Sequence, residues 1–553
     1  MDFYPRPQLK RDLWMSLDGK WSLCESTINV PFPPQSKLSG YEGEEYRKLT
    51  YTRVFTIPAS FNESRIIIHF GAVDEIAAIL VNGRLVGQHE GGYLPFSFDI
   101  TNYINRDGDN TLTVKCSDSL SGHYPYGKQT LKPGGMWYTD VSGIWQTVWI
   151  ENVPDKYISE LTITPDLTGV DISVTHNADS FKVIVELDDS DTYTATFDGS
   201  NGRIELLNAL SDSHKPISPI LWDTENPHIY NFTIISDKDS VRSYFALRTI
   251  SIQDICGVKR VCLNDKPVFL HGILDQGYFQ DGIFTPKEPS EYLDDILHMK
   301  ELGFNTLRKH IKIEPDIFYY YCDIHGMLVI QDMVNSGAYS FLKDTVLPTV
   351  GFKRRCDWKK GNSKEEARRE FFVKHLLDTI SHLHNHPSIV IYTIFNEGWG
   401  QFESDMLYQL ASRADSSRLY DSTSGWFAQS KSDFDSEHVY FRTKVLRPKS
   451  RPLFLSECGG FTLKIPGHCY NPHKTYGYGS CKDEAALTDR ICNMYDKMVL
   501  PAIPKGLCGS IYTQLSDVED EINGLYTYDR KICKVNKNQM QLLAKKIASA
   551  IMF

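Results

Sequence analysis

Two glutamates stand out by where the chain places them. The run Ser388 to Thr393 (SIVIYT) passes without a break into IFNEGWGQF, Ile394 to Phe402, so that an apolar stretch bounded by Pro387 and Gly398 closes on Asn396 and Glu397. Such a run, rich in Ile, Val and Tyr, reads as a short strand buried on both faces, the kind found in parallel sheets. An ionised carboxylate at its end must be paired, hydrogen-bonded or shifted in pKa. Glu457 closes a second apolar run, PLFLS, 60 residues further on. Two carboxylates flanking one bond meet the requirement for glycoside hydrolysis: one protonates the leaving oxygen while the other attacks the anomeric carbon or activates water. The competing reading of each Glu taken alone is a structural salt bridge at a strand end, with Arg308 as an available partner. The presence of both, with Asn396 beside Glu397, favours chemistry.

The elements around them explain how they could meet. After SIQDICGVKRVCLNDKPVFLHG the chain alternates helix-like and strand-like runs: LHMKELGFNTLRKH, FYYYCDIHGMLVIQDM, EFFVKHLLDTISHLHNHPSIVIYTIFNE, MLYQLASRADSSRLYDSTSG, RPLFLSECGG and GLCGSIYTQLSD. This grammar predicts a (β/α)8 TIM barrel over residues 250–553. A doubly wound sheet competes, but no Gly-rich phosphate turn follows the first strand. Barrel sites lie at the C-terminal ends of the strands, so polar residues just after apolar runs are candidates. They are Asp275 and Gln276 after VFLHGIL, Arg308 and His310 after FNTL, Asp332 after MLVIQ, Asn396 and Glu397 after VIYTIF, Trp426 after STSG, and Glu457. Trp399, in the turn after Glu397, joins Trp426 as a candidate surface for a sugar face, with a buried core aromatic as the alternative for Trp426.

Upstream, residues 1–153 are short alternating segments such as YTRVFTIP, RIIIHFG, AAILVNGRLVG and QTVWIENV, with Asn82-Gly83 as a hairpin signal. They predict a jelly-roll β-sandwich. Residues 154–249 have the size and strand count of an immunoglobulin-like sandwich. The 553 residues thus divide into three domains of multidomain β plus α/β class. Hydrophobic content of 41% and charged content of 23% are those of a soluble folded chain, and aromatics reach 12%. A net charge of -11 and the absence of a run of five basic residues argue against nucleic acid. The charged, proline-containing N-terminus argues against a signal peptide, and no stretch of 18 apolar residues suggests a membrane span. Twelve cysteines without a CxxC pair fit reduced thiols, so a cytoplasmic location and no zinc site are expected.

The residues also carry a resemblance. The order jelly roll, immunoglobulin-like sandwich, barrel, with IFNEGWG ending one strand and FLSECGG a later one, resembles the family 2 glycoside hydrolases, which include β-galactosidases, β-glucuronidases and β-mannosidases. RDLWMSLDGKW, SGIWQTVWIE, GFNTLRKH, YCDIHGMLVIQDM and HNHPSIVIYTIFNE extend the likeness over nearly the whole chain. It implies that Glu397 is the general acid/base and Glu457 the nucleophile of a retaining reaction, with carboxyl groups about 5 to 5.5 Å apart. It further implies that Asn396 binds the sugar 2-hydroxyl, that Tyr440 in EHVYF holds the nucleophile, and that His310 contacts substrate, although the text here is RKH where relatives often have one more residue. The charge of Glu457 is then expected to raise the pKa of Glu397.

Departures from the family pattern bear on substrate. The Asn-x-Lys pair with which family β-glucuronidases bind a sugar carboxylate is missing from QLSDVEDEINGLYTYDRK, where Asp517, Glu519, Asp520 and Glu521 would repel a uronate or stand as exposed charges. The Glu-x-His of magnesium-bound β-galactosidases is missing from MLVIQDMVNSG, so neither catalytic metal nor other cofactor is expected; His382, His384 and His386 read as a helix end and turn. A lid or contact role for the insertion at 352–370 competes with a solvated loop, and the Gly-rich, aromatic insertion at 459–485 is expected to shape the aglycone side. The leading expectation is a retaining exo-β-glycosidase of β-galactosidase type acting on a carbohydrate, with a homo-oligomer as a candidate assembly. Alternatives are a β-glucuronidase, β-mannosidase or α-L-arabinopyranosidase, or a non-catalytic carbohydrate-binding homologue. An unrelated barrel chemistry would need a lysine at a strand end or a His-x-His after the first strand, and neither is read from the sequence.

Overall fold

The structure is a computed structural model. It describes residues 3–187, 190–337, 339, 340, 342, 346, 347, 363–427, 430–440, 443–448 and 450–551. The part of the 352–370 insertion up to residue 362 lies outside the described residues; from Ser363 the chain is a helix, Ser363–Leu383.

The N-terminal sandwich packs a four-stranded sheet against a six-stranded one. The strand Asn110–Ser117 shows why: its residues alternate between buried and more exposed positions, so one face enters the core with Trp21, Tyr51, Ile68 and Phe70 and the other meets solvent. The expected hairpin joins Ile76–Val81 to Arg84–Glu90 through Asn82 and Gly83, both at positive φ as such a turn requires. A second sandwich of three and four strands, between Glu160 and Phe245, follows the same alternation, and Ile172, Val183, Phe232 and Val241 are buried together in its core.

Eight parallel strands form a nearly closed barrel: β1 (Leu270–Asp275), β2 (Thr306–Lys309), β3 (Leu328–Asp332), β4 (Ile389–Asn396), β5 (Leu419–Ser424), β6 (Asp435–Val439), β7 (Leu453–Gly459) and β8 (Leu507–Thr513). Neighbours pair in sequence order from β1 to β5, and β8 closes onto β1, while β5 and β6 carry no ladder between them among the described residues. Every residue of β4 and of β7 is buried, which is why these strands read as apolar runs.

Polar contacts brace both ends of the barrel, at the entry to its strands and at its mouth. Arg248, fully buried, donates to the carbonyls of Pro387, Ser417 and Ile389 and so anchors the entry to β4 and β5. His382 pairs with Asp316, His384 faces Asp415, and His386 meets Asp323, the helix-end and turn role expected of this cluster. From the N-terminal sandwich, the loop around Tyr126 to Thr139 reaches over the barrel: Tyr126 N donates to the Asn335 carbonyl, and Thr139 N donates to Glu519 Oε1 at 2.9 Å.

Candidate active site

The end of β4 is bent to present Glu397. This residue has φ +54°, the left-handed region that a side chain adopts at a cost, and Gly398 and Gly400 follow in the same region. Gly398 has no alternative, since a Cβ there would meet Phe427 at 2.3 Å. Strain of this kind concentrates where a side chain must be aimed. Glu457 lies within β7, three strands on, and the two carboxylates converge: one oxygen of each and a nitrogen of His438 all lie within 4.8 Å of one another.

Arg308, at β2, organises the floor. Its Nε donates to Asp332 (2.9 Å), Nη1 to the Ser456 carbonyl (2.8 Å) and Glu457 Oε1 (2.9 Å), and Nη2 to Asn396 Oδ1 (3.0 Å) and Ser424 Oγ (3.0 Å). These use all five guanidinium N–H groups. Arg308, expected to touch substrate, is instead fully buried and holds the nucleophile candidate and Asn396 in place. Asn396 accepts from Arg308 and Ser424 through Oδ1, and its amide nitrogen makes no hydrogen bond among the described residues. The Tyr440 hydroxyl donates to Glu457 Oε2, and its ring stacks on Tyr478 at 4.1 Å, so the 459–485 segment abuts the site. His310 Nδ1 lies 2.7 Å from Asp332; burial drives its pKa down to about 3, so it is neutral and donates to that carboxylate. Trp426 is partly exposed, its ring edge-on to His438 at 5.5 Å.

Three other candidates are committed elsewhere. Asp275 is buried against the Lys309 ammonium (2.6 Å) and accepts from Gly277 N (2.8 Å), so it serves an internal ion cluster with Glu314 rather than a ligand. Lys309 is itself a lysine at a strand end, which the reading of the sequence discounts. Its burial is outweighed by Asp275 and Glu314, which raise its pKa and keep it charged, unsuited to forming a Schiff base. Trp399 is 3% exposed, donates to the Gly337 carbonyl and packs edge-on against Trp137 and Tyr126, so it cannot serve as a sugar platform. Gln276 donates to Gln514, whose amide continues to Asn523 and through it to Glu521.

Of the two readings of the late-loop acidic group, ordinary exposed charges are not what the structure has. Asp517, Glu519, Asp520 and Glu521 are all buried. Asp517 pairs with Lys534 at 2.6 Å, and Glu521 accepts hydrogen bonds from Asn523 and from the Tyr138 hydroxyl of the N-terminal sandwich. Three further residues escape a reading of the sequence. Tyr138 and Lys128 come from another domain, with no local signal to link them to the barrel. His438 lies two residues before Tyr440, and that alternation along one strand is the available cue.

Electrostatics separate the two glutamates. Burial raises Glu397 to about 7, opposed by Lys128 and Arg308. The charge of Glu457, expected to be the cause, is not what raises it. Burial and the charge of Glu397 raise Glu457 too, against His438, Arg308 and Lys128, while Arg308 and Tyr440 both stabilise its ionised form through hydrogen bonds. The two donors on Glu457, against the single contact of Glu397 with His438, favour Glu397 as the member of the pair that keeps the proton. As a metal centre the set is poorly provided, because Glu457 Oε1 is engaged by a guanidinium and Oε2 by Tyr440. A cavity of about 950 Å³ between sandwich and barrel, lined by Trp14, Phe32, Trp145 and Glu314, includes neither carboxylate.

Comparison with known proteins agrees with this architecture. Residues 16–154 match "Glycosyl hydrolases family 2, sugar binding domain" and residues 255–446 match "Glycosyl hydrolases family 2, TIM barrel domain". A β-galactosidase of Thermoanaerobacter pseudethanolicus is 25% identical over 341 residues, 57% of this chain and 44% of that protein. A β-glucuronidase of Paenibacillus borealis is 24% identical over 442 residues, 73% of this chain and 68% of that protein. The chain spans less than half the length of the first curated relatives it matches. The solved β-D-glucuronidase of Dictyoglomus thermophilum superposes with a TM-score of 0.74 at 18% identity, covering 99% of this chain and 98% of the other, a likeness of fold. Two descriptions drawn from one family, matched in the order sandwich then barrel and together covering more than half of the sequence, establish that this chain belongs to glycoside hydrolase family 2.

Proposed function

We propose that the chain is a retaining, exo-acting β-glycosidase in which Glu397 is the general acid/base and Glu457 the nucleophile. The observation that carries this reading is the approach of the two carboxylates at the barrel mouth, with oxygens within 4.8 Å. Carboxylates that approach this closely can flank a single glycosidic bond, as the retaining reaction requires. Glu457 attacks the anomeric carbon while Glu397 gives its proton to the departing oxygen, so the glycosidic C–O bond breaks as the ester bond forms. Arg308 and Tyr440 keep their hydrogen bonds to the esterified carboxyl. Glu397, now ionised, takes a proton from water, and the resulting attack returns Glu457 to its carboxylate. The Asn396 amide is positioned to donate to the sugar 2-hydroxyl, a contact that strengthens as charge develops at the anomeric centre.

For the sugar we favour a neutral hexoside, a β-galactoside first. In the late loop the buried carboxylate of Glu521 accepts from Asn523 and Tyr138, and its negative charge would disfavour a uronate. A β-glucuronide is the second reading. It draws support from the half-buried Lys128, whose charge is felt at Glu397, Glu457 and Glu521, and from the names of relatives and of fold neighbours. The deciding experiment is a panel of p-nitrophenyl β-galactoside, β-glucuronide, β-mannoside, β-glucoside, β-fucoside and α-L-arabinopyranoside, with Glu457→Ala beside the wild type. Hydrolysis by the wild type and not by the variant names the sugar and supports the nucleophile. A wild type inert toward all of them would favour a carbohydrate-binding role.

A further inference from the structure

His438 sits between the two carboxylates and belongs to neither. Its Nδ1 lies 2.8 Å from Glu397 Oε1, and its Nε2 lies 3.6 Å from Glu457 Oε1, beyond hydrogen-bond length. The ring is shut off from solvent, and Nε2 is a buried nitrogen with no hydrogen-bond partner among the described residues. Burial drives the imidazole pKa down to about 4, so the ring is neutral and carries one N–H.

Where that N–H lies follows from hydrogen-bond accounting. With the proton on Nδ1, the lone pair of Nε2 would point at the Glu457 carboxylate with nothing to satisfy it. With the proton on Nε2, an N–H pole faces that carboxylate and Nδ1 becomes an acceptor. An acceptor 2.8 Å from Glu397 Oε1 requires that oxygen to donate, hence to be protonated. The other charged groups felt at this ring are Arg308, Asp332 and Glu437, with Tyr440 and Trp426 at its edges, and Lys128 acts on Glu397. Asp332 is already bound to Arg308 and His310, and Glu437 to Lys444, so neither competes for the imidazole.

We propose that His438 is a positioning residue that assigns the single proton of the carboxylate pair to Glu397, by accepting it on Nδ1 while turning Nε2–H toward Glu457. The proposal rests on the acid/base role given to Glu397 above. It supplies what each half-reaction needs. Before cleavage, the Nδ1 lone pair stabilises the acid form of Glu397, and the Nε2–H pole favours an ionised nucleophile. Once Glu397 has passed its proton to the leaving group, the same lone pair faces a carboxylate, which strengthens Glu397 as the base toward water. No proton leaves the imidazole at either step.

Two variants and one spectrum test this. His438→Phe keeps a ring of similar size without nitrogens, and His438→Ala removes the ring. Both are expected to move the alkaline limb of the kcat/KM profile to lower pH by about one unit, the size of one lost hydrogen bond to the protonated form. A limb that moves up would mean that Nδ1 donates to an ionised Glu397, and an unmoved limb would mean that the two groups are not coupled; either result overturns the proposal. In wild-type protein labelled with 15N-histidine, one resonance pair lost in the variants should show a pyridine-like Nδ1 and a pyrrole-like Nε2, and the opposite assignment refutes it without any substrate. Failure of the underlying reading looks different. If the wild type hydrolyses a glycoside and Glu397→Gln retains that activity on an alkyl glycoside, the acid/base role falls, whatever the His438 variants do.

Discussion

Glu397 should make the folded protein less stable in the state in which it is ionised, and the size of that effect can be worked out. Its carboxyl is raised from 4.5 to about 7 by burial. A raised carboxyl means that the native state binds the proton more tightly than the unfolded chain does. Below pH 4.5 both states are protonated and nothing is lost; through the window from about 4.5 to 7 stability falls as pH rises, and above 7 the full cost is present. At 1.36 kcal/mol per unit the full cost is about 3.4 kcal/mol, and the part that develops between pH 5 and pH 8 is about 2.5 kcal/mol. Glu397→Gln has nearly the shape of the protonated acid, keeps an N–H to donate to His438 Nδ1, and never ionises. We expect the variant's stability advantage over the wild type to grow by about 2.5 kcal/mol from pH 5 to pH 8. Denaturant midpoints of both proteins at the two pH values measure this, and contributions from groups common to both cancel in the double difference. The same substitution should lower hydrolysis of an alkyl glycoside by about 10²- to 10⁴-fold, the range of general acid catalysis. A stability difference that is equal at the two pH values would refute the claim that this carboxyl carries a burial-raised pKa.

Three further outcomes follow from the geometry. Arg308→Ala leaves the carboxylates of Asp332 and Glu457 buried without their guanidinium, and should cost about 3 to 5 kcal/mol in unfolding experiments; a loss below about 1 kcal/mol would contradict its place as the hub. Glu521→Gln removes the negative charge of that late-loop carboxylate and, on the neutral-sugar reading, should raise the ratio of β-glucuronide to β-galactoside kcat/KM by at least about tenfold, since each 1.4 kcal/mol of relieved repulsion is a decade; an unchanged ratio counts against that reading. Dialysis against EDTA should leave hydrolysis unaltered, because both oxygens of Glu457 are engaged by Arg308 and Tyr440; activity lost on chelation and restored by a divalent ion would establish a metal role.

What the sequence disclosed and what it withheld have one physical origin. Glu397 and Glu457 were legible because one follows and the other lies within a strand buried along its whole length, where a charge is conspicuous against Ile, Val and Leu. The strand β6 offers no such contrast. It is Asp-Ser-Glu-His-Val, and its polar residues are satisfied one by one: Asp435 by Arg451, Ser436 by Asp421, Glu437 by Lys444. Only the likeness of Tyr440 to a family position marked that strand, and His438 passed unread beside it. Lys128 and Tyr138 were invisible for a different reason, because they arrive from a sandwich and no local pattern records which loop will cover which barrel.

The rule that polar residues after an apolar run belong to a site selects a location, and it says nothing about which way a side chain is spent. Asp275, Arg308 and Trp399 all obey the rule and all turn inward, to Lys309, to five acceptors and to the Gly337 carbonyl. What separates them from residues able to touch a substrate is the count of hydrogen-bonding capacity left over. Arg308 has none. Asn396 keeps its amide nitrogen and Glu397 keeps one oxygen beyond its contact with His438, whose own buried Nε2 faces only the charge of the nucleophile candidate. That surplus is a property of three strands meeting, β4, β6 and β7, and it exists in no one of them alone.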